Sequence, residues 1–254
     1  MKCDVKIMAV KPRRKMVLAM CDKLGLSEDE CVIYDDRPNG GGTYYTCRKA
    51  WSAPMPDDVT HRIVLQDDLA LCNDFMQIAD RMVTAHPDVF FTLFCPRVHF
   101  EDRLPESPYL IVKGYNTWGQ GIILPREYIK KVMRFSDEEL GTDFQWDDGQ
   151  YAWYAKENSI PIMTTVPSLL QHLCPTESTL GYNNKNKVSK VWNGEDISGE
   201  NWEAKSFTFT KSMPITVSLE KQKKLIAEKG NNTNPYTIFR DNGGNKFEDS
   251  ESDS

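Results

Sequence analysis

The sequence predicts an α/β fold in which a mostly parallel sheet is flanked by helices. Short apolar runs typical of strands alternate with helix-like segments over the first 175 residues. The run at residues 89–94 is apolar on both faces, as expected for a strand in the middle of a covered sheet. Hydrophobic residues form 40% of the 254-residue chain, which is enough apolar material for a packed core.

Each element follows from a local pattern. Strands are expected where short apolar runs lie between turn signals, at 5–10, 31–34, 61–65, 89–94, 109–112, 121–124 and 160–166. Helices are expected where apolar residues recur at intervals of three and four, at 13–26, 71–85, 126–135 and 147–158. Gly25 is suited to end the first helix, Pro125 to open the third, and Asp147 to begin the fourth.

The amino-acid composition changes near residue 175, where Asn, Lys, Gly and Ser become dominant. We therefore expect one domain over residues 1–175 and a partly irregular C-terminal extension, 176–240, packed on it. Residues 241–254 carry five acidic residues and one Lys, a composition that predicts a disordered acidic tail.

Composition and charge exclude several classes of protein. The net charge of −6 argues against a protein whose whole surface binds nucleic acid. No apolar run approaches the roughly 18 residues that a membrane span needs. At the amino terminus the basic cluster follows the apolar run, the reverse of a secretory signal, so a cytoplasmic protein is expected. The seven cysteines include no CxxC pair, which favours buried free thiols over disulfides or zinc.

Polar groups follow the first three predicted strands. The first strand runs into Arg13, the second ends at Asp35 and Asp36, and the third runs into Asp67 and Asp68. Ligands of open α/β sheets bind beyond the carboxyl ends of strands, so we expect these groups to face one cleft. Paired carboxylates suit Mg²⁺ or Mn²⁺, and an arginine suits phosphate, which together indicate a nucleotide-diphosphate site. The alternative for each acidic pair is a turn or a helix cap.

Further motifs accompany this set along the chain. They are the Gly-rich loop Gly40-Gly41-Gly42, the segment Gln66-Asp67-Asp68, Trp118-Gly119-Gln120, the pair Asp147-Asp148, and Pro167-Ser168-Leu169-Leu170-Gln171-His172. In order and spacing, the set resembles nucleotide-sugar-dependent glycosyltransferases of the GT-A fold, of the small phage-encoded kind. The resemblance covers about residues 4–175 and implies a GT-A-like, Rossmann-like sheet.

The resemblance also implies where the donor and its metal bind. Asp68 would be a direct ligand of Mn²⁺ or Mg²⁺, and His172 a further ligand. Asp67 would contact the sugar or ribose, and Arg13 the diphosphate. Gln66 departs from the family, since many members have an acid there, and this lowers the negative charge of the site.

The remaining roles concern the nucleoside and the acceptor. Asp35 or Asp36 stands where the family contacts the nucleoside, and Gly41 would approach the donor. In an inverting reaction, Asp147 or Asp148 could be the general base that takes the proton of the acceptor hydroxyl. In a retaining reaction the two acids would have other roles, and the sequence leaves both outcomes open. The residues Trp118 and Gly119 would line the pocket for donor sugar and acceptor. His61, just inside a strand, is expected to be structural.

The predicted reaction moves a sugar from a nucleotide sugar, with UDP as the expected nucleotide, to a hydroxyl. The acceptor classes left open are a hydroxymethylated base in phage DNA, a glycan or lipid-linked sugar, and a protein or small molecule. Lysines and aromatic residues of 181–240 could bind DNA. They are Tyr182, Lys185, Lys187, Lys190, Trp192, Trp202, Lys205, Phe207, Phe209 and Lys211. The alternative is that the aromatic residues dock the extension onto the domain.

The sequence is also compatible with a second function. A nucleotidyltransferase, or a nucleotide-binding module without turnover, could use the same acidic pair. Against the nucleotidyltransferase, Lys11-Pro12-Arg13-Arg14 lacks the glycine that such enzymes carry after the first strand. Nothing in the sequence indicates an obligate protein partner.

Overall fold

The computed structural model describes residues 1–36, 42–112, 118–140, 147–173 and 188–209. It is an α/β structure with a large sheet flanked by helices, which confirms the predicted fold class. The predicted tail, 241–254, and Gly41 lie outside the described residues, as do Tyr182, Lys185, Lys187 and Lys211.

The elements have the following bounds. The strands are β1 (Cys3–Ala9), β2 (Val32–Tyr34), β3 (His61–Gln66), β4 (Leu69–Leu71), β5 (Phe90–Thr92), β6 (Tyr109–Ile111), β7 (Gly121–Pro125), β8 (Ile162–Thr165), β9 (Leu170–His172) and β10 (Thr208–Phe209). The helices are α1 (Arg14–Leu24), α2 (Glu28–Cys31), α3 (Gly42–Ser52), α4 (Phe75–Ala85), α5 (Arg126–Phe135) and α6 (Gly149–Glu157). Short 3₁₀ turns occupy Lys11–Arg13 and Phe100–Asp102, and a π turn Ser136–Leu140.

Eight of these strands form one sheet in the order β10-β6-β8-β5-β7-β3-β1-β2. β1, β2, β3, β5 and β8 run in one direction, and β6, β7 and β10 run in the other. β4 and β9 pair separately as an antiparallel ribbon. The carboxyl ends of β1, β2 and β3 therefore meet at one edge of the sheet.

Helices cover both faces of this sheet, because its strands alternate their side chains between two cores. On β3, Ile63 and Leu65 join the core packed by α1 and α4, while Val64 joins the core packed by α3, α5 and α6. α1 ends at Gly25, whose φ of 68° lies in the left-handed region that favours glycine. The first helix and its stop signal are thus confirmed.

Two predicted helix boundaries are wrong, and two helices and three short strands, β4, β9 and β10, were missed. Residues 71–85 are not one helix, because Leu71 belongs to β4 and α4 begins at Phe75. Asp74 precedes α4 with a φ of 54°, so the chain turns sharply there. β9 and the helices α2 and α3 were not predicted, since a short apolar run alone does not distinguish strand from helix.

The described part of the C-terminal extension, 188–209, packs on the sheet. Trp202 is fully buried, and its carbonyl accepts a hydrogen bond from the Tyr109 hydroxyl. Trp192 is partly buried against the same core, whereas Phe207 and Phe209 are exposed. For the two tryptophans, docking onto the domain is therefore the role that the contacts support.

Two further expectations concern thiols and membranes. The six cysteines within the described ranges are buried and free, as predicted. Cys174 lies outside those ranges. Among the helices that the structure describes, none is long and apolar enough to cross a membrane.

Candidate functional site

The carboxyl ends of β1, β2 and β3 bring the first predicted groups together. The backbone N–H of Asp35 donates to the Ala9 carbonyl at 2.8 Å. Val10, which follows Ala9 in the chain, donates its N–H to Asp67 Oδ2, also at 2.8 Å. Asp35 and Asp67 therefore flank the end of β1, as expected from the parallel order of the three strands.

Arg13 lies between the carboxylates of Asp67 and Asp68. Its Nη1 is 2.7 Å from Asp67 Oδ1 and 2.8 Å from Asp68 Oδ2. Arg13 is the last residue of the turn after β1, so the strand end and the start of α1 together set its position. Only 5% of Asp67 and 3% of Asp68 is exposed. Such short, charge-assisted contacts between buried groups hold the three side chains as one cluster.

The ribbon of β4 and β9 adds His172 to this cluster. Leu69, directly after Asp68, pairs with His172 in the ribbon. The His172 Nε2 atom then lies 3.2 Å from Asp68 Oδ2. The structure thus brings together two residues that are 104 positions apart in the chain, as the metal hypothesis requires.

The environments of the two carboxylates differ. Burial raises the pKa of Asp67 above its usual value, against the lowering effect of the Val10 N–H and Arg13. Burial also acts to raise the pKa of Asp68, but the hydrogen bond and charge of His172, together with Arg13, hold it below its usual value. Asp68 is therefore the carboxylate better prepared to stay ionised for a cation.

The residues of this cluster fit a divalent cation that takes some of its ligands from the protein and the others from a substrate. Asp68 Oδ1 is buried and has no hydrogen-bond partner in the part of the chain that the structure describes. Both oxygens of Asp67 already accept hydrogen bonds. Among the described residues, no group of three or more His, Cys, Asp or Glu could hold a metal. A cation bound by Asp68 and His172 would thus need further ligands from phosphate and water, which is a common arrangement for Mg²⁺.

Asp36 is directed away from this cluster. Its Oδ2 is 2.8 Å from the ammonium of Lys49 on α3, and the side chain is exposed. That hydrogen bond lowers the pKa of Asp36. Asp35 is half-buried. The backbone of Asp35 thus lies at the end of β1, whereas the side chain of Asp36 pairs with the neighbouring helix. The cleft shared by the carboxylates of Asp35, Asp67 and Asp68 stays a prediction.

Asp147 lies beside Gly119 and Gln66, the last residue of β3. A Cβ atom placed on Gly119 would be 2.8 Å from Asp147 Oδ2 and 3.2 Å from Gln66 Nε2. Asp147 Oδ2 is buried without a hydrogen-bond partner in the described ranges. Trp118 and Gly119 thus precede β7 at the same edge as Asp67, with Asp147 against Gly119.

The surroundings of Asp147 are largely apolar. Met8, Val64 and Ile122 of the sheet lie beside it, with Trp51 of α3. Burial raises the pKa of Asp147, while hydrogen bonds from nearby backbone groups and from the Gln66 side chain act to lower it. A carboxylate whose pKa is raised is a better proton acceptor near neutral pH.

Asp148 lies at the start of a helix, and Trp118 is packed in the core. α6 begins at Gly149, two residues later than predicted, and Asp148 is its N-cap residue, without a side-chain capping bond. Trp118 is mostly buried in the core, with its ring edge-to-face to Phe94 and under the guanidinium of Arg97. Packing and pocket lining are both compatible with this position of Trp118.

Comparison with known proteins yields distant structural neighbours. No protein family model matches the sequence, and no curated protein matches it. A glycosyltransferase involved in glycosylation of the major capsid of PBCV-1 is 12% identical, with a TM-score of 0.35, covering 68% of this chain and 93% of that chain. An inositol-1-phosphate CTP transferase from T. maritima is 10% identical, with a TM-score of 0.36 and coverages of 72% and 74%.

A third neighbour was solved with ligands. A Drosophila beta-1,4-galactosyltransferase 7 variant, in complex with manganese, UDP-Gal and xylobiose, is 10% identical. Its TM-score is 0.40, and the match covers 85% of this chain and 84% of that chain. With identities and TM-scores this low, the activity of this chain has to be argued from its own residues.

Several polar residues near the site were missed from the sequence. Thr43 of α3 acts to lower the pKa of Asp147, and Gln150 Nε2 donates to the Asp147 carbonyl at 3.0 Å. The Gln66 side chain also contacts Asp147, although the sequence suggested only that it replaces an acid. Thr43 follows a glycine-rich stretch that reads as a turn, so no local signal indicated its role.

His61 is structural, as predicted. Its imidazole is buried and bonds the Thr60 hydroxyl and the Pro87 carbonyl, each at 2.9 Å. Burial lowers the pKa of His61, which keeps the ring neutral in the core. His61 begins β3, at the end of the strand opposite to Asp67, so it takes no part in the candidate site.

Proposed function

We propose that this chain is a metal-dependent glycosyltransferase that moves a sugar from a UDP-sugar to a hydroxyl acceptor. The observation that carries the proposal is the buried cluster of Arg13, Asp67, Asp68 and His172 at the carboxyl edge of the sheet. In this cluster the guanidinium of Arg13, a group suited to phosphate, lies beside Asp68, whose Oδ1 atom is buried and has no partner among the described residues. Nucleotide ligands of open α/β sheets bind at this edge.

In this proposal Asp68 and His172 would hold Mn²⁺ or Mg²⁺. The cation would neutralise the negative charge that develops on the departing nucleoside diphosphate. Arg13 would bind the diphosphate, since a guanidinium pairs well with phosphate oxygens. Asp67 would position Arg13 and contact the ribose or sugar, and Asp35 would accept hydrogen bonds from the nucleoside.

Asp147 is the better candidate for the general base of the two adjacent acids. Its carboxylate is buried beside Gly119, and its raised pKa suits proton abstraction from a hydroxyl. A general base of this kind typically contributes about 10²–10⁴-fold in rate. Asp148 is the second candidate, and Trp118 with Gly119 would line the pocket for sugar and acceptor.

The acceptor is proposed to be a hydroxyl, and a hydroxymethylated base of phage DNA is the first acceptor to test. A base within a duplex would have to be flipped out to reach Asp147. The burial of Trp202 removes it from the residues that could stack on DNA. The exposed residues Phe207, Phe209 and Lys190 keep that role in the proposal.

The test is a donor screen with the purified protein, in Mn²⁺ and in EDTA. UDP-sugars and nucleoside triphosphates are the donors, and hydroxymethylated DNA and simple glycans are the acceptors. Metal-dependent release of UDP from a UDP-sugar is the expected result. Release of pyrophosphate from a triphosphate would instead support a nucleotidyltransferase, and binding without turnover a nucleotide-binding module.

Variants connect this activity to the cluster. Asp68→Asn keeps the size of the side chain and is expected to abolish metal-dependent turnover without lowering the melting temperature by more than a few degrees. Asp58→Asn is the matched control, because Asp58 forms an exposed ion pair with Lys2 near the opposite end of β1. Normal turnover by Asp68→Asn would contradict the metal assignment.

A further inference from the structure

Arg13 supplies one positive charge to two buried carboxylates. A single nitrogen, Nη1, contacts Asp67 Oδ1 at 2.7 Å and Asp68 Oδ2 at 2.8 Å, and only 12% of the Arg13 side chain is exposed. The Asp68 oxygen that contacts Arg13 is also the oxygen that contacts His172 Nε2 at 3.2 Å. The guanidinium therefore lies at the same carboxylate that would bind a cation.

A guanidinium and a divalent cation compete at such a carboxylate. Mg²⁺ needs oxygen ligands at about 2.0–2.1 Å, and a divalent cation on Asp68 Oδ1 repels a guanidinium that stays in hydrogen-bonding contact with Oδ2 of the same carboxylate. A diphosphate offers Arg13 a second anionic partner with matching geometry. Binding of the diphosphate would thus free Asp68 for the metal.

We propose that Arg13 couples metal binding to donor binding. Its guanidinium neutralises Asp67 and Asp68 until a diphosphate replaces these two carboxylates as the partner of Arg13. The inference rests on the proposed function and adds an order to it, in which tight metal binding requires the nucleotide. Coupling of this kind is reciprocal, so the metal must tighten nucleotide binding by the same factor.

The experiment measures three dissociation constants for the full-length protein. They are those for Mn²⁺ alone, for UDP alone in EDTA, and for Mn²⁺ in saturating UDP, corrected by a protein-free titration. For the wild type we expect UDP to tighten Mn²⁺ binding by about 5–150-fold, the usual range of coupling between sites.

Arg13→Gln should shift the two single-ligand constants in opposite directions. Mn²⁺ alone should bind about tenfold more tightly, because the carboxylates lose their internal partner, and UDP alone about tenfold more weakly. The factor by which UDP tightens Mn²⁺ binding should fall. A variant that is merely misfolded would weaken both ligands, so the opposite signs identify the coupling role.

Two further variants complete the test. Arg81→Gln removes a cation that forms a surface ion pair with Glu203, and should leave all three constants unchanged. Arg13→Lys keeps the charge on a shorter stem and should raise Mn²⁺ affinity by about threefold, which preserves the test if Arg13→Gln does not fold.

The outcomes separate this inference from the proposed function. Mn²⁺ affinity that fails to rise in both Arg13 variants, while Mn²⁺ and UDP still bind together, overturns the coupling role and leaves the transferase intact. A wild-type protein that binds neither UDP nor a UDP-sugar in Mn²⁺ overturns the proposed function itself.

Discussion

Replacing Gly119 by alanine tests the contact between the segment before β7 and Asp147. The added Cβ would lie 2.8 Å from Asp147 Oδ2, 3.2 Å from Asp147 Cγ and 3.2 Å from Gln66 Nε2. Favourable contact between such atoms begins near 3.5 Å, so the carboxylate has to move by roughly 0.7 Å. It is buried among Met8, Val64 and Ile122, and these neighbours would have to yield as well.

Overpacking of a buried position typically costs about 1–3 kcal/mol, and we expect Gly119→Ala to lower the free energy of unfolding by that amount. Gly199→Ala is the matched control, because a Cβ there meets no heavy atom within 4 Å. It should be neutral, or stabilising by about 0.4–1 kcal/mol through the unfolded state. Urea denaturation monitored by tryptophan fluorescence measures both variants.

A double-mutant cycle assigns the cost to Asp147. In the Asp147→Ala background the carboxylate is gone, so Gly119→Ala should cost at least about 1 kcal/mol less than in the wild type. In the transferase assay, Gly119→Ala should reduce kcat by about 10²-fold, since small displacements of a catalytic group have effects of this size. A Gly119→Ala protein as stable as Gly199→Ala, or a cycle that is additive within about 0.5 kcal/mol, would refute the contact.

Three further predictions concern the pH dependence, the buried arginine of the core and the extension. Because burial raises the pKa of Asp147, its ionisation destabilises the folded protein as pH rises through that value. In urea titrations, Asp147→Asn should therefore exceed the wild type in stability at pH 8 and match it below about pH 4, and equal stability at both pH values would contradict this. Arg62→Met should cost about 3–5 kcal/mol, because it leaves a partly buried carboxylate and several carbonyls unpaired, whereas Arg81→Met on the surface should cost under about 1 kcal/mol. In thermal melts, Trp202→Ala should destabilise by about 3–5 kcal/mol and the exposed Phe209→Ala by less than about 0.5 kcal/mol; equal effects would show that the extension is not docked through Trp202.

The pattern of the sequence was sufficient for the elements that have strong local signals. α1 was predictable because its apolar residues have helical spacing and Gly25 supplies the left-handed stop. β3 was predictable because the apolar residues Ile63, Val64 and Leu65 come directly before the polar segment 66–68. From these strands and the rule that parallel strand ends share an edge, the neighbourhood of Arg13, Asp35 and Asp67 also followed.

Local pattern could not predict the contacts that complete the site. His172 reaches Asp68 only because β9 pairs with β4, and both strands are three residues long, with no periodicity to identify them. Asp36 had the same apparent role as Asp35, but Lys49 on the unpredicted helix α3 pairs with it.

What the sequence determined by itself is the α/β class, most strand and helix positions, and the presence of acidic groups at strand ends. The tertiary structure alone decided which oxygens are paired with Arg13, which Asp68 oxygen is left without a partner, and that Gly119 lies against Asp147. The physical reason is range. Hydrophobic periodicity and turn residues act over a few positions, whereas these contacts join segments dozens of residues apart through packing of the whole sheet.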